Sequence, residues 1–188
     1  MKEFKRFIKL LKHQSTALLI IDIQERILPV IKNYQRVVDK TIILIKGFKE
    51  LSLPIFFTEQ YSKGLGPTVR SISDELGDLQ PFDKMSFSCS GAGNLFEELQ
   101  NKNLSQIVVC GIEAHVCVQQ TVLDLIENGF QVNVVADATS SRSEIDYNIA
   151  VERMRYHKAE ITTAESVLFE LLNVCGTPQF KAISKIVK

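Results

Sequence analysis

Four short apolar-rich runs constrain this chain more than anything else in it. Residues 17–21 read ALLII, 54–58 PIFFT, 107–110 IVVC and 131–136 QVNVVA. Runs without polar alternation mark strands buried on both faces. Between them, apolar residues recur at helical spacing. Val37, Val38, Ile42, Ile45 and Phe48 do so within 33–51, and Val118, Val122, Leu125 and Ile126 precede the Asn128-Gly129 stop. In 144–156 the expected packing residues are Ile145, Ile149, Val151 and Met154. Shorter strands are expected at 81–85 and 160–162, and further helices at 93–101, 165–172 and 177–187. Alternating strands and helices of this kind predict α/β architecture, a mostly parallel, roughly six-stranded sheet covered on both faces through right-handed crossovers.

No repeat, low-complexity tract or linker interrupts the 188 residues, so one domain over 1–188 is expected. Residues 1–15 carry Phe4, Phe7, Ile8 and Leu11 on one helical face and read as an N-terminal helical extension packed on the domain or a second subunit. A membrane-surface helix or presequence is the alternative. Twenty-two basic residues balance twenty-two acidic ones, so neither nucleic acid nor an anionic membrane is an expected partner. Four cysteines without a CxxC pair make no disulfide scaffold, and three scattered histidines make no metal site. A reducing, cytoplasmic setting follows as the expectation. Residues 59–77 are rich in turn formers and are expected to form a loop that shapes a pocket.

Ligands of such sheets gather beyond the carboxyl ends of the strands. Asp22 and Glu59 lie there, with Lys84 a further candidate. Gly111 ends the run 107–110, and Cys117 falls in the first turn of the helix that follows. Free N–H groups and partial positive charge at a helix opening stabilise a thiolate and an oxyanion. A carboxylate, an ammonium and a thiol together have the makings of an activated nucleophile. Taken singly, Asp22 also fits a turn cap, Lys84 a solvated side chain and Cys117 a small buried hydrophobe.

The pieces ALLIIDIQE, KMSFS and VVCGIEAHVCVQQTVLDLIENGFQVNVVADATSSR, in that order, resemble the isochorismatase-like cysteine hydrolases. TEQYSKGLGPT, SSRSEIDYNIAVERM, TTAESVLFELL and TPQFKAISKIVK resemble the isochorismatase-domain-containing subgroup. The resemblance implies a three-layer α/β/α sandwich and an Asp22–Lys84–Cys117 triad. Cys117 would attack a carbonyl, Asp22 move the proton and Lys84 stabilise charge, through a thioester. An oxyanion hole from the N–H groups of Glu113 and Cys117, and a cis Ile112–Glu113 bond, are also implied. Gln24, Ile112 and Ala114 are expected substrate contacts.

The segment TEQYSKGLG lacks the histidines that hold a metal in nicotinamidases, so no metal and no cofactor are expected. Retention of Cys117 favours C–N hydrolysis of a small amide or carbamoyl substrate over vinyl-ether cleavage. A binding or scaffold protein and a thiol redox sensor are the alternatives. Glu113 is expected to turn away from the oxyanion hole or pair with a cation. His115 is expected to stay out of the chemistry, and Cys89, Cys110 and Cys175 to be structural. The resemblance and the amphipathic termini together imply a homo-oligomer, a dimer or higher.

Overall fold

The structure is a computed structural model and describes residues 6–188. Six strands form one parallel sheet. They are β1 (Thr16–Ile21), β2 (Ile55–Gln60), β3 (Phe82–Lys84), β4 (Gln106–Ile112), β5 (Gln131–Ser140) and β6 (Glu160–Thr162). Their spatial order is β3-β2-β1-β4-β5-β6, parallel at every pairing. The helices are α1 (Tyr34–Glu50), α2 (Ser62–Leu65), α3 (Arg70–Leu76), α4 (Leu95–Asn101), α5 (Gln119–Glu127), α6 (Glu144–Tyr156), α7 (Ala164–Leu172) and α8 (Pro178–Ile186).

The sheet has two cores because successive side chains on a strand point to opposite faces. Leu18 and Ile20 of β1 pack with Val37, Leu44 and Phe48 of α1, and with residues of α3, α7 and α8. Ala17, Leu19 and Ile21 pack on the other face with Leu95 and Leu99 of α4, Val122 and Leu125 of α5, and Ala150 and Met154 of α6. Burying both faces is what makes ALLII unbroken. The result is the three-layer sandwich.

The structure departs from expectation at several elements. β4 does not stop at Gly111 but runs through it, in register with Ile21 of β1. Gly111 has φ +124°, and a Cβ there would sit 2.1 Å from the Ile21 carbonyl oxygen, so β1 and β4 approach through a missing side chain. Between Val109 and Gly111 the pairing with β5 shifts from Val134 to Thr139, which lengthens β5 to Ser140. The segment 59–77 is not one irregular loop: β2 continues to Gln60, and α2 and α3 follow.

The N-terminal helical extension is not observed among the described residues. Residues 6–12 form turns and extended chain, and 13–15 a single 3₁₀ turn; Phe4 lies outside the described residues. Side chains from the body take the backbone groups that a helix would use. Gln106 accepts from Lys12 N–H at 2.7 Å and donates to the Leu10 carbonyl, and Glu170 accepts from Leu11 N–H. Leu11 is buried while Phe7 and Ile8 are exposed. On α6, Met154 is buried as expected, but Ile145 and Ile149 face outward and Ala150 takes the core position.

Candidate active site

Three adjacent strand ends bring the chemistry together. Asp22 follows β1, Gln60 ends β2 and Lys84 ends β3, and β2 separates the other two in the sheet. Asp22 adopts φ +53°, a left-handed conformation that non-glycine residues rarely hold and that recurs at functional sites. Its carboxylate is buried. Oδ1 accepts from Thr58 Oγ1 at 2.7 Å and Oδ2 from Lys84 Nζ at 2.6 Å. The Lys84 ammonium is fully enclosed and also donates to Gln60 Oε1 at 2.7 Å and the Phe87 carbonyl at 3.1 Å, with the Ser86 carbonyl at 3.3 Å. A dry ion pair is tolerable only when further hydrogen bonds satisfy both groups, and these bonds do so.

Cys117 lies in a π-helical turn, Ala114–Val118, one step before α5. The Val118 N–H closes on the Glu113 carbonyl at 3.2 Å, wider than an α-turn, a geometry that recurs at functional sites. The thiol donates to Gln60 Oε1 at 4.0 Å and lines the same cavity as the Asp22 carboxylate. Its pKa is pushed well above the ordinary 9.0, first by burial and then by the negative charge of Asp22, while Lys84 pulls it down. This reverses the expectation of a stabilised resting thiolate, because desolvation and the carboxylate outweigh the ammonium. Cys89 and Cys110 are pushed up to about 12, chiefly by burial.

The Ile112–Glu113 bond is cis. The Glu113 carboxylate accepts from the Arg142 backbone N–H at 3.1 Å and from Arg142 Nε at 2.9 Å, the cation pairing expected of it. His115 is occupied by Ser141 Oγ at 3.0 Å and stands 4.0 Å from Asp146. A cavity of about 110 Å³ opens over Asp22, Gln60 and Cys117, walled by Ile27, Leu65, Phe87, Ile112 and Val116.

Two expected substrate contacts are not in that wall. Gln24 is fully buried, its amide donating to the carbonyls of Gln60 and Gly66 and accepting from Gln60 N–H. It braces the chain beyond β2 instead, because every polar atom of its side chain is spent on backbone. Ala114 packs in the α5-side core with Val118. The residues missed were Thr58, Gln60 and Phe87. Alternation along β2 was the signal for the first two: Thr58 and Gln60 point to the Asp22 side, and Glu59 points away to Thr68. Among the described residues, no three His, Cys, Asp or Glu side chains gather as a metal-holding group.

Residues 16–166 match the family model described as Isochorismatase domain. Isochorismatase domain-containing protein 2 of Xenopus laevis is 40% identical over 94% of this chain and 85% of its own length. The solved structure of the MAR1 ribonuclease from Caenorhabditis elegans superposes with a TM-score of 0.88 at 37% identity, covering 94% of this chain and 91% of that one. The Escherichia coli YcaC gene product, an octameric hydrolase of unknown specificity, is similar in fold, with a TM-score of 0.84 at 24% identity over 91% of this chain and 85% of that one. On the family model and the relatives it matches over most of its length, the chain belongs to the isochorismatase family.

Proposed function

We propose that this protein is a metal-independent cysteine hydrolase of small amide or carbamoyl compounds. The observation that carries the reading is the Cys117 thiol sharing one small cavity with the Asp22 carboxylate, which the fully enclosed Lys84 ammonium holds at 2.6 Å. In the resting enzyme the sulfur is a thiol. As Sγ attacks the substrate carbonyl carbon, its proton passes to Asp22. Lys84, paired with that carboxylate, stabilises the charge as it shifts. Charge building on the carbonyl oxygen is met by the N–H groups of Glu113 and Cys117, each worth on the order of 10²–10³ in rate. Asp22 then hands its proton to the nitrogen, the C–N bond breaks, amine or ammonia leaves, and a thioester remains. Water gives Asp22 a proton as it attacks the thioester. The acid departs and the proton returns to sulfur.

The size of the cavity supports a small substrate, since about 110 Å³ is well below the ~300 Å³ at which drug-sized pockets begin. The ribonuclease in the name of the nematode relative invites an RNA reading. A balanced charge and an ammonium consumed by Asp22 favour the amide instead. The free cysteines fit a reducing, cytoplasmic setting. A homo-oligomer remains part of the reading.

The test is a panel of small amides, carbamoyl compounds and single-stranded RNA, scored for amine or ammonia release and for RNA cleavage. Ammonia or amine release that Cys117→Ala abolishes, with a transient mass increase located on Cys117, is the expected result. RNA cleavage that survives Cys117→Ala, without amide turnover, would sink the reading.

A further inference from the structure

The cavity over Asp22, Gln60 and Cys117 is one-sided in its chemistry. Ile27, Leu65, Phe87, Ile112 and Val116 wall it, all apolar. Besides Cys117, the ionisable residues that border it are Asp22 and Glu113, both acids. The cations that pair with these acids, Lys84 and Arg142, do not border it. Resting on the hydrolase reading above, we propose that the substrate is the amide of a short, uncharged aliphatic acid, its chain against the apolar walls and its carbonyl carbon facing Cys117.

Charge excludes an amide that bears a carboxylate. Such a group would give up water against apolar walls, where a charge is tolerated only with a partner. The candidate partners are already committed. Lys84 Nζ is spent on Asp22, Gln60 Oε1 and two backbone carbonyls, and Arg142 Nε on Glu113. The Gln60 amide donates to the Met85 carbonyl at 2.9 Å. In the proposed mechanism the N–H groups of Glu113 and Cys117 go to the substrate carbonyl. An incoming anion would meet the two acids instead. Size excludes an aromatic acid. About 110 Å³ is the room of roughly four water molecules at ~30 Å³ each. Covalently joined atoms pack more closely than waters, so an amide group with two or three carbons fits, and a carboxamide on a six-membered ring does not.

Two measurements on the full chain test this. The first compares kcat/KM for acetamide, propionamide, malonamate and benzamide by ammonia release. Propionamide should exceed acetamide by about tenfold, the effect of one methylene in an apolar pocket. Malonamate, in which a carboxylate replaces the terminal methyl of propionamide, and benzamide should each fall at least about tenfold below propionamide. The second needs no turnover. Rates of alkylation by iodoacetamide and by iodoacetate are read by mass spectrometry at Cys117 and at the exposed Cys175 of the same molecules. The ratio of the two rates at one thiol does not depend on its thiolate fraction. It should favour the neutral reagent at Cys117 by at least about tenfold more than at Cys175. Malonamate or benzamide turned over as fast as propionamide, or equal ratios at the two thiols, overturns the inference. No amide hydrolysis, with the alkylation gap intact, would fell the hydrolase reading alone and uphold the cavity's preference for neutral ligands.

Discussion

The Lys84 ammonium is fully enclosed, and among the described residues its counter-charge is Asp22 at 2.6 Å. Removing one member of a buried pair leaves the other uncompensated, at about 3–5 kcal/mol. Lys84→Met should therefore lose about that much stability in urea unfolding, and adding Asp22→Asn should restore most of it. A Lys84→Met protein as stable as wild type would mean that Asp22 is solvated after all. The residue types of this site were legible: an acid at a strand end, a lysine in a short extended piece and a cysteine after a glycine break. The thiol's direction of shift was not. Helix-opening N–H groups and Lys84 favour a thiolate, and only the packed structure shows that burial and Asp22 outweigh them. Gln24 was misread for a related reason. Its place two residues after Asp22 is visible in sequence, but the carbonyls of Gln60 and Gly66 that absorb it are 36 and 42 residues away.

At the scale of elements, the junction of β1 and β4 sets how closely Asp22 and the Cys117 turn approach. Gly111→Ala would drive a Cβ to 2.1 Å from the Ile21 carbonyl oxygen in a backbone conformation that alanine resists. We expect a loss of about 3 kcal/mol or more, read from urea midpoints, together with lost activity. Near-normal stability would show that β1 moves freely. In the sequence a glycine after IVVC reads as a stop, and nothing local distinguishes a strand terminator from a glycine that lets two backbones touch. The N-terminal segment failed in the opposite way. Its apolar spacing is helical, yet Gln106 and Glu170, distant in sequence, take its backbone groups. The continuous runs of β1 and β4 and the periodicity of α1 and α5 were reliable because burial on both faces, or on one stripe, imposes them directly.

For the molecule as a whole, the two-sided core makes three buried thiols into a pH liability. Cys110, on β4 and facing Thr41 of α1, is raised from 9.0 to about 12, so the folded state keeps a proton that the unfolded chain releases above pH 9. Stability is then full below pH 9 and falls as pH rises toward 12, by about 1.4 kcal/mol per unit for each such thiol. Between roughly pH 9 and pH 10.5, wild type should lose about 2 kcal/mol more than Cys110→Ala, whatever the starting difference between them. Equal slopes would show that this thiol titrates as if exposed. The fold class was legible at this scale because alternating strand and helix patterns leave few arrangements. The outward isoleucines of α6 were not, since helical spacing does not say which of two apolar faces meets the core.

In the proposed mechanism Asp22 works on Cys117 as a base while its charge holds the thiol pKa up. Measuring the pH profile of Cys117 alkylation and the rate of amide hydrolysis side by side in wild type and Asp22→Asn tests it most directly. Removing the carboxylate charge should move alkylation to lower pH, yet hydrolysis should fall by about 10²–10⁴-fold. An unchanged alkylation profile with hydrolysis retained would show that Asp22 is not the base of Cys117.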